Sequence, residues 1–275
     1  MELSLRDPED NQPPILVHKH YRQPSAFTPE SLLREARRQK GAPAASVPEI
    51  CLLDPDGDIV RQLKAERRAH RHEGWVCYHT DLFVFDEGEL TMGVVGCAVG
   101  APFAVLVAEE LFASGCRLLI SVTSSGQLKP VAAPPYFILI DKALRDEGTS
   151  YHYLPPAAYS SMPELLLAPL DGNFSDMRVP VLRGATWTTD APFRETEEAI
   201  ERMRDRGLLA VEMEAAALYA FAEAREKSVV CFAHVTNQMG QIEGDFEKGE
   251  ANGSADALAI VVQAARLLLP AVPER

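Results

Sequence analysis

The segment that most constrains the fold of this chain is Gly207–Ala220, where a strand-like run leads directly into a helix-like run. Two carboxylates, Glu212 and Glu214, stand at the junction on either side of Met213, and the alanines that follow have high helix propensity. In parallel α/β sheets, ligands bind beyond the carboxyl ends of the strands, so both acids are placed to meet a ligand. A second interpretation stays open for each, because an acid at a helix N-terminus stabilises the helix by about 0.3 to 1 kcal/mol without touching a ligand.

Strand-like and helix-like segments alternate along almost the whole chain. This alternation predicts an α/β fold, and we expect a single-domain three-layer α/β/α arrangement with a central mixed, twisted sheet flanked by helices. Residues 47–275 are predicted to form this domain. Residues 1–46 are predicted as an N-terminal arm with an added helix, which begins after the capping residue Thr28 with Pro29 at its first position and ends at Gly41.

Three further segments carry specific predictions of secondary structure. A basic helix is expected from Ile59 to about His70, and a short strand at Trp75–Tyr78. The polar run Thr123–Gly126 is expected to be the turn that ends the strand Arg117–Val122.

Composition excludes several classes of partner. The net charge is −13 with a pI near 5.0, and no run of Lys or Arg is long enough to track phosphates, so we expect neither nucleic acid nor a membrane surface as a partner. No segment approaches the roughly 18 apolar residues of a membrane span, and the first residues lack the apolar core of a signal peptide, so we expect a cytoplasmic protein. The unpatterned cysteines predict reduced, mostly buried thiols at Cys51, Cys77, Cys97, Cys116 and Cys231.

Polar clusters follow four of the predicted strands and join the two carboxylates at the strand ends, where an α/β sheet would gather them into one pocket. They offer hydroxyls, amides and carboxylates, which suit a polyhydroxylated ligand such as a sugar, and they contain no metal-binding or cofactor motif. For each cluster the simpler interpretation, that hydroxyls cap backbone groups and glycines allow close packing, stays open. The clusters are Gly96–Gly100, Thr123–Gly126, Thr188–Phe193 and Thr236–Gln241.

Three sequence blocks resemble those of a known family. Val211–Tyr219 is similar to the signature of the nucleoside phosphorylase-I family, which includes purine nucleoside phosphorylases, uridine phosphorylases and related nucleosidases. Gly93–Pro102, with Glu109–Leu111 in the following helix, is similar to its second block, and Ser121–Gly126 to its third. The resemblance covers roughly residues 47–268.

The resemblance implies roles for individual residues. Glu214 would hold the 2′ and 3′ hydroxyls of a ribose, with Met213 packed against the sugar, and Val211 or Glu212 would line the base. The hydroxyl block would contact phosphate, ribose and the base edge through Ser124, Ser125 and Gly126. Phe193 would stack on the base, although Pro192 occupies the place where the family has its aromatic residue. His18 or His20 would be the arm histidine that reaches a neighbouring subunit's ribose, and for both the alternative of a solvated arm residue stays open.

The expected site departs from the family pattern on both its base side and its phosphate side. Asn237 stands where hexameric purine enzymes and nucleosidases have the aspartate that protonates the leaving base, and an amide can only hydrogen-bond there. On the phosphate side, the family turn is replaced by Leu53–Asp58 and the arginine before the hydroxyl block is Ser121. Three aspartates and a serine suit a phosphate dianion poorly, which leaves the positive charge to displaced arginines. The candidates for that charge are Arg61, Arg68 and Arg71.

The resemblance therefore implies cleavage of a nucleoside N-glycosidic bond, with Glu214 ordering the sugar and Asn237 stabilising the departing base. We expect phosphorolysis to free base and (deoxy)ribose 1-phosphate, with phosphate as co-substrate and no cofactor or metal. Hydrolysis by water is the alternative, and a noncatalytic nucleoside-binding protein is a second one. Whether the base is a purine or a pyrimidine stays open. A homo-oligomer is expected, either a dimer or a hexamer built as a trimer of dimers.

Overall fold

A computed structural model describes residues 13–239 and 245–270. Helices and strands alternate in this part of the chain. The helices are α1 Pro29–Lys40, α2 Asp58–Ala65, α3 Ala101–Ala113, α4 Glu164–Leu167, α5 Glu197–Asp205, α6 Ala215–Arg225 and α7 Ser254–Leu268. The strands are β1 Ile50–Asp54, β2 Ala69–Arg71, β3 Leu82–Glu87, β4 Leu90–Gly96, β5 Leu118–Gln127, β6 Tyr136–Asp146, β7 Tyr159–Ser161, β8 Val181–Thr189, β9 Ala210–Glu212 and β10 Ser228–Asn237.

The strands form one mixed sheet in the order β10-β6-β8-β9-β5-β1-β4-β3-β2, with β7 attached to β6. Strand β1 is parallel to β4 and to β5, and β5 is parallel to β10. Strand β3 pairs antiparallel with β4, and β9 pairs antiparallel with β5. Helices flank the sheet, with α1 and α6 packed on α3, and α2 packed on α7. The predicted fold class, a single α/β domain with a central mixed sheet between helices, is confirmed.

The sheet also closes on itself, which was not predicted. Strand β10 pairs with β5 as well as with β6, so β5, β10, β6, β8 and β9 make a closed ring. Closure depends on the length of β5, whose first residues pair with β1 and whose last two, Gly126 and Gln127, pair with β9. The site described below lies where β5 exchanges one partner for the other.

The prediction of a turn at Thr123–Gly126 was wrong, because these residues belong to β5 and pair with β10. Their backbone hydrogen bonds are made in the ladder, so the polar side chains did not require a turn. The helix predicted to reach His70 ends at Ala65, since Arg67 adopts a left-handed conformation with φ of 58°. The strand predicted at Trp75–Tyr78 is an irregular segment, and the Trp75 indole N–H donates to the carbonyl of Thr80 at 3.1 Å.

Helix α1 begins and ends where the sequence predicted. Thr28 accepts a hydrogen bond from the Ser31 amide, and Gly41 ends the helix in the left-handed conformation. Leu33 and Ala36 are buried against Val76, so this added helix is packed on the domain. Within the described ranges, no helix is long and apolar enough to span a membrane. All five cysteines are unpaired, and four of them are buried, whereas Cys97 is exposed.

Candidate functional site

The Glu214 carboxylate lies at the centre of the candidate site. It precedes α6 and is 1% exposed. Its Oε1 accepts the backbone N–H of Gly100 at 2.6 Å, and its Oε2 accepts the hydroxyl of Thr123 at 2.8 Å. Burial, together with the nearby charge of Glu212, raises the pKa of Glu214 to about 7. An ionised carboxylate offers about four acceptor positions, so room remains for further hydroxyl donors.

Glu212 has different partners, although it is only two residues away. Its Oε2 accepts the backbone N–H groups of Glu214 and Ala215, each at 2.7 Å, and thereby satisfies the first turn of α6. Its Oε1 accepts the hydroxyls of Thr186 at 3.1 Å and Thr188 at 2.5 Å, both from β8. Burial raises the pKa of Glu212. The carboxylate thus ties β8 to α6, and its expected contact with the base stays a prediction.

A second polar group, here called the Ser124 cluster, lies beside the residue that follows Thr123 on β5. It consists of Ser124, Asp56, Asp58 and Lys248. Side chains alternate along a strand, so Ser124 points away from Glu214 and donates its hydroxyl to Asp56. The Lys248 ammonium donates to Asp56 at 2.9 Å and to Asp58 at 2.7 Å. Burial lowers the pKa of Lys248, but the hydrogen bonds to the two aspartates outweigh it and leave that pKa raised.

The third aspartate of this segment, Asp54, holds the start of α2. Its carboxylate accepts the backbone N–H of Gly57 at 3.1 Å and that of Val60 at 3.0 Å. Burial raises the pKa of Asp54 to about 6. Arg61 donates to Asp58 at 2.6 Å and to the carbonyl of Asp56 at 2.8 Å, so this predicted phosphate ligand lies beside the cluster. No group of side chains in residues 13–239 and 245–270 could hold a metal ion.

Arg68 and Arg71, the other two candidates for the positive charge at the phosphate, lie elsewhere. Arg68 donates to Glu66 at 2.9 Å. Arg71 also lies outside the Ser124 cluster. It belongs to β2 at the edge of the sheet and donates to Asp81 at 2.9 Å. Three strands separate β2 from β5, so within one subunit Arg71 is not part of the Ser124 cluster. Its predicted role requires a neighbouring subunit and stays a prediction.

The expected base side of the site is closely packed. Asn237 accepts the backbone N–H of Met239 at 2.9 Å and approaches the carbonyl of Ser125 at 3.5 Å. A Cβ added to Gly126 would collide with the Met239 sulfur and lie 3.4 Å from Val211. Gly126, Val211 and Asn237 therefore lie together, with the Met239 sulfur against Gly126.

Other predicted ligands are less enclosed. Phe193 is 98% exposed, Met213 is partly buried, and His18 and His20 are exposed. The described part of the arm nevertheless contacts the domain, because the Lys19 ammonium lies 3.1 Å from a ring nitrogen of His152. The Ser125 hydroxyl is buried without a hydrogen-bond partner among the described residues. Of the predicted Thr236–Gln241 cluster, Gly240 and Gln241 lie outside the described residues.

Sequence reasoning missed Lys248 and His234. His234 is buried on β10 and stacks on Phe137 with ring centroids 4.3 Å apart, and burial with the charge of Lys248 lowers its pKa to about 4. Lys248 lies in a segment without periodic pattern. The signal in the sequence that indicates a cation here is the acidic segment Leu53–Asp58, because aspartates gathered at a strand end need a positive charge nearby.

Comparison with known proteins identifies the family. The model of the phosphorylase superfamily matches residues 49–267. The chain belongs to this superfamily, and the resemblance seen in the sequence blocks is confirmed.

Individual relatives are more distant. The chain is 28% identical to a guanosine phosphorylase of Halorubrum lacusprofundi over 171 residues, which is 62% of this chain and 67% of that protein. It is 25% identical to a uridine phosphorylase of Treponema pallidum over 230 residues, 78% and 87% of the two chains. The crystal structure of a uridine phosphorylase from Vibrio fischeri superposes with a TM-score of 0.68 at 19% identity, covering 82% of this chain and 92% of the other. At that identity the structural match shows the shared fold.

Proposed function

We propose that this protein cleaves the N-glycosidic bond of a nucleoside and transfers the pentosyl group to inorganic phosphate. The observation that carries the proposal is the Glu214 carboxylate, held by Gly100 and Thr123 at the strand end where the family signature stands. A buried carboxylate fixed by two donors is suited to accept the paired hydroxyls of a ribose. The names of the curated relatives, guanosine and uridine phosphorylase, support the same class of reaction.

In this proposal each group acts on a different part of the nucleoside. Glu214 orients the sugar, whose C1′ develops oxocarbenium character as the bond to the base breaks. Asn237 hydrogen-bonds the departing base and stabilises its growing negative charge. Ser124 and Ser125 position the nucleophile. Phosphate attacks C1′ as the bond from C1′ to the base nitrogen breaks, a pentose 1-phosphate forms, and the base leaves as an anion that takes its proton from solvent.

The proposal is tested by incubating the protein with purine and pyrimidine nucleosides in the presence and absence of phosphate. Chromatography separates free base, pentose 1-phosphate and free pentose. We expect base release that requires phosphate and yields pentose 1-phosphate in equal amount. Absence of turnover, combined with a nucleoside-induced rise in melting temperature that Glu214→Ala abolishes, would establish a binding protein instead.

Hydrolysis is the second candidate, and one observation favours it. Ser124, the predicted phosphate ligand, already donates to Asp56, a carboxylate that would repel a phosphate dianion. Two cations, Lys248 and Arg61, are matched there by Asp56 and Asp58, so the cluster offers no excess positive charge. A water molecule could instead donate to Asp56 and attack C1′, which would give free pentose.

Replacing Asp56 by Asn separates the two candidates. For phosphorolysis, loss of a negative charge beside the phosphate should lower the KM for phosphate by several fold. For hydrolysis, loss of the carboxylate that accepts the water proton should reduce kcat by about 100-fold, and the rate should not depend on the phosphate concentration. Asp171→Asn is the matched control, since Asp171 is an exposed ion-pair partner of Arg183, a residue with no predicted role at the site.

A further inference from the structure

The segment 245–253, here called the strap, immediately precedes α7 and lies against the end of β10. The Glu247 N–H donates to the carbonyl of Thr236 at 2.8 Å, and both oxygens of Asp245 accept the N–H of Gln238, at 2.8 and 2.9 Å. Its Gly253 lies against His234 and adopts the left-handed conformation with φ of 74°. The strap is thereby held beside the carboxyl end of β10, next to β5.

Lys248 is the strap residue that enters the Ser124 cluster. Its side chain is 28% exposed, and those of Asp56 and Asp58 are 27% and 10% exposed. The ammonium lies between two carboxylates of the β1–α2 connection, so it neutralises charge that would otherwise be concentrated at one strand end. A partly enclosed ion pair of this kind is less screened by salt than one at the surface.

Asp56 connects this cation to the hydroxyl. The same oxygen, Oδ2, accepts both the Lys248 ammonium and the Ser124 hydroxyl. With its proton directed to Asp56, Ser124 presents its oxygen lone pairs as acceptors. Ser124 follows Thr123, which donates to Glu214, so the two polar groups are joined through adjacent residues of β5.

We propose that Lys248 is a positioning residue of the reaction. It holds Asp56 in the orientation that accepts the Ser124 proton, so that the Ser124 oxygen faces the nucleophile. This inference rests on the proposed glycosidic bond cleavage, and it applies to any nucleophile that can donate an O–H to the Ser124 oxygen, whether water or hydrogen phosphate. It concerns a contact between the strap and the β1–α2 connection. Glu214 is not touched by Lys248, so nucleoside binding should depend on Lys248 only weakly.

A simpler role would be to anchor the strap, and the chain offers a matched control for it. Arg178 binds the far end of the same region, donating to Glu250 at 2.9 Å and to the two oxygens of Asp256 at 2.8 and 2.7 Å. It makes two ion pairs, as Lys248 does, and reaches none of the residues around Ser124. Loss of anchoring alone should therefore affect Arg178→Met and Lys248→Met alike.

The test compares kcat and KM of the wild type with those of Lys248→Met, Lys248→Arg and Arg178→Met. We expect Lys248→Met to lower kcat by at least about tenfold while the KM for nucleoside changes by less than about threefold. Lys248→Arg should recover most of the loss, because a guanidinium can also bridge two carboxylates. Arg178→Met should retain kcat within about threefold.

A double variant examines the path through Asp56. If Lys248 acts through this carboxylate, adding Lys248→Met to Asp56→Asn should lower kcat by a much smaller factor than Lys248→Met does in the wild type, because the shared partner is already absent. Equal losses of kcat in Lys248→Met and Arg178→Met would overturn the inference while nucleoside cleavage stands. So would a double variant in which the effects of Lys248→Met and Asp56→Asn on kcat are fully additive. A wild type that cleaves no nucleoside would instead refute the proposed function, and the inference with it.

Discussion

Glu212 and Glu214 differ in what surrounds them, although both are buried carboxylates at one strand-to-helix junction. Glu212 accepts four protein donors, the backbone N–H groups of Glu214 and Ala215 at the start of α6 and two hydroxyls from β8. Glu214 accepts well-placed donors from Gly100 and Thr123 and a longer bond of 3.3 Å from the Met213 N–H. A carboxylate saturated by its own protein holds the fold, whereas one with remaining acceptor capacity can receive a ligand.

Substitution by glutamine should separate these two roles. Glu214→Gln is expected to reduce kcat/KM for a nucleoside by about 100-fold, since two charge-assisted hydrogen bonds to the sugar are weakened. Its melting temperature should be equal to or above that of the wild type, because a buried charge is removed.

Glu212→Gln is the comparison variant. An amide group turned toward four donors should lower the free energy of unfolding by about 2 kcal/mol, and activity should follow the folded fraction. Denaturant titration and steady-state kinetics of both variants provide the measurements. The reverse pattern, with stability dependent on Glu214 and catalysis on Glu212, would contradict this assignment.

The raised pKa of Glu214 gives a second prediction at the scale of one residue. The folded protein holds this proton more tightly than the unfolded chain, whose ordinary pKa is 4.5, whereas the folded value is about 7. The resulting stabilisation is complete below about pH 4.5 and is lost as the pH rises through 7, and the loss amounts to roughly 3 kcal/mol.

The measurement is the free energy of unfolding of the wild type and Glu214→Gln at pH 5 and pH 8. Other titrating groups are common to both proteins and cancel in the difference. We expect the wild type to lose more stability between the two values than the variant does. Parallel pH profiles would show that Glu214 keeps an ordinary pKa in the folded state.

At the scale of elements, the β1–α2 connection determines where the Ser124 cluster lies. Asp54 ends β1 and accepts N–H groups at the start of α2, which fixes the path of the residues between them. Asp56, in that path, is directed to Ser124 of β5, and Asp58 begins the helix. The acidic segment therefore combines a helix cap with two partners for Lys248.

Asp54→Ala should destabilise the protein by about 1 to 2 kcal/mol, because two helix-start N–H groups lose their acceptor. Activity should also fall at temperatures where the variant remains folded, since Asp56 loses its fixed position. Circular dichroism melting and an assay well below the melting temperature measure the two effects. Asp86→Ala is a suitable control, because the exposed Asp86 carboxylate on β3 accepts from the Thr91 hydroxyl, away from the start of α2.

At the scale of the whole molecule, several large apolar side chains remain at the surface. Phe27 is 71% exposed and Leu106 is 38% exposed, and both line one groove between the arm and α3. Val99 and Tyr78 are exposed as well, at 51% and 44%. Exposed apolar residues grouped in this way commonly mark contacts between proteins.

The homo-oligomer expected from the family resemblance is a prediction that light scattering can test. We expect a dimer or a hexamer at micromolar concentration, and Leu106→Glu should shift the population toward smaller species because a buried unpaired charge is costly at an interface. A monomeric wild type would contradict the prediction. It would also remove the basis for assigning His18, His20 and Arg71 to a neighbouring subunit's site.

Much of the fold could be predicted because it depends on local pattern. The alternation of segments, the caps of α1 and the strand-to-helix junction at Glu212–Glu214 follow from neighbouring residues. The extension of β5 through Thr123–Gly126 could not, since hydroxyl residues fit a turn or a strand and only the presence of β10 decides between them.

The sequence by itself therefore determined the α/β architecture, the family and the carboxylate pair, because periodicity and a local motif carry that information. Tertiary structure alone decided which carboxylate is saturated and what faces Ser124. Lys248 and Asp56 are 192 residues apart, and Thr123 and Glu214 are 91 apart. Contacts at such separations are set by the packing of strands and by the closure of the ring, neither of which appears in residue spacing.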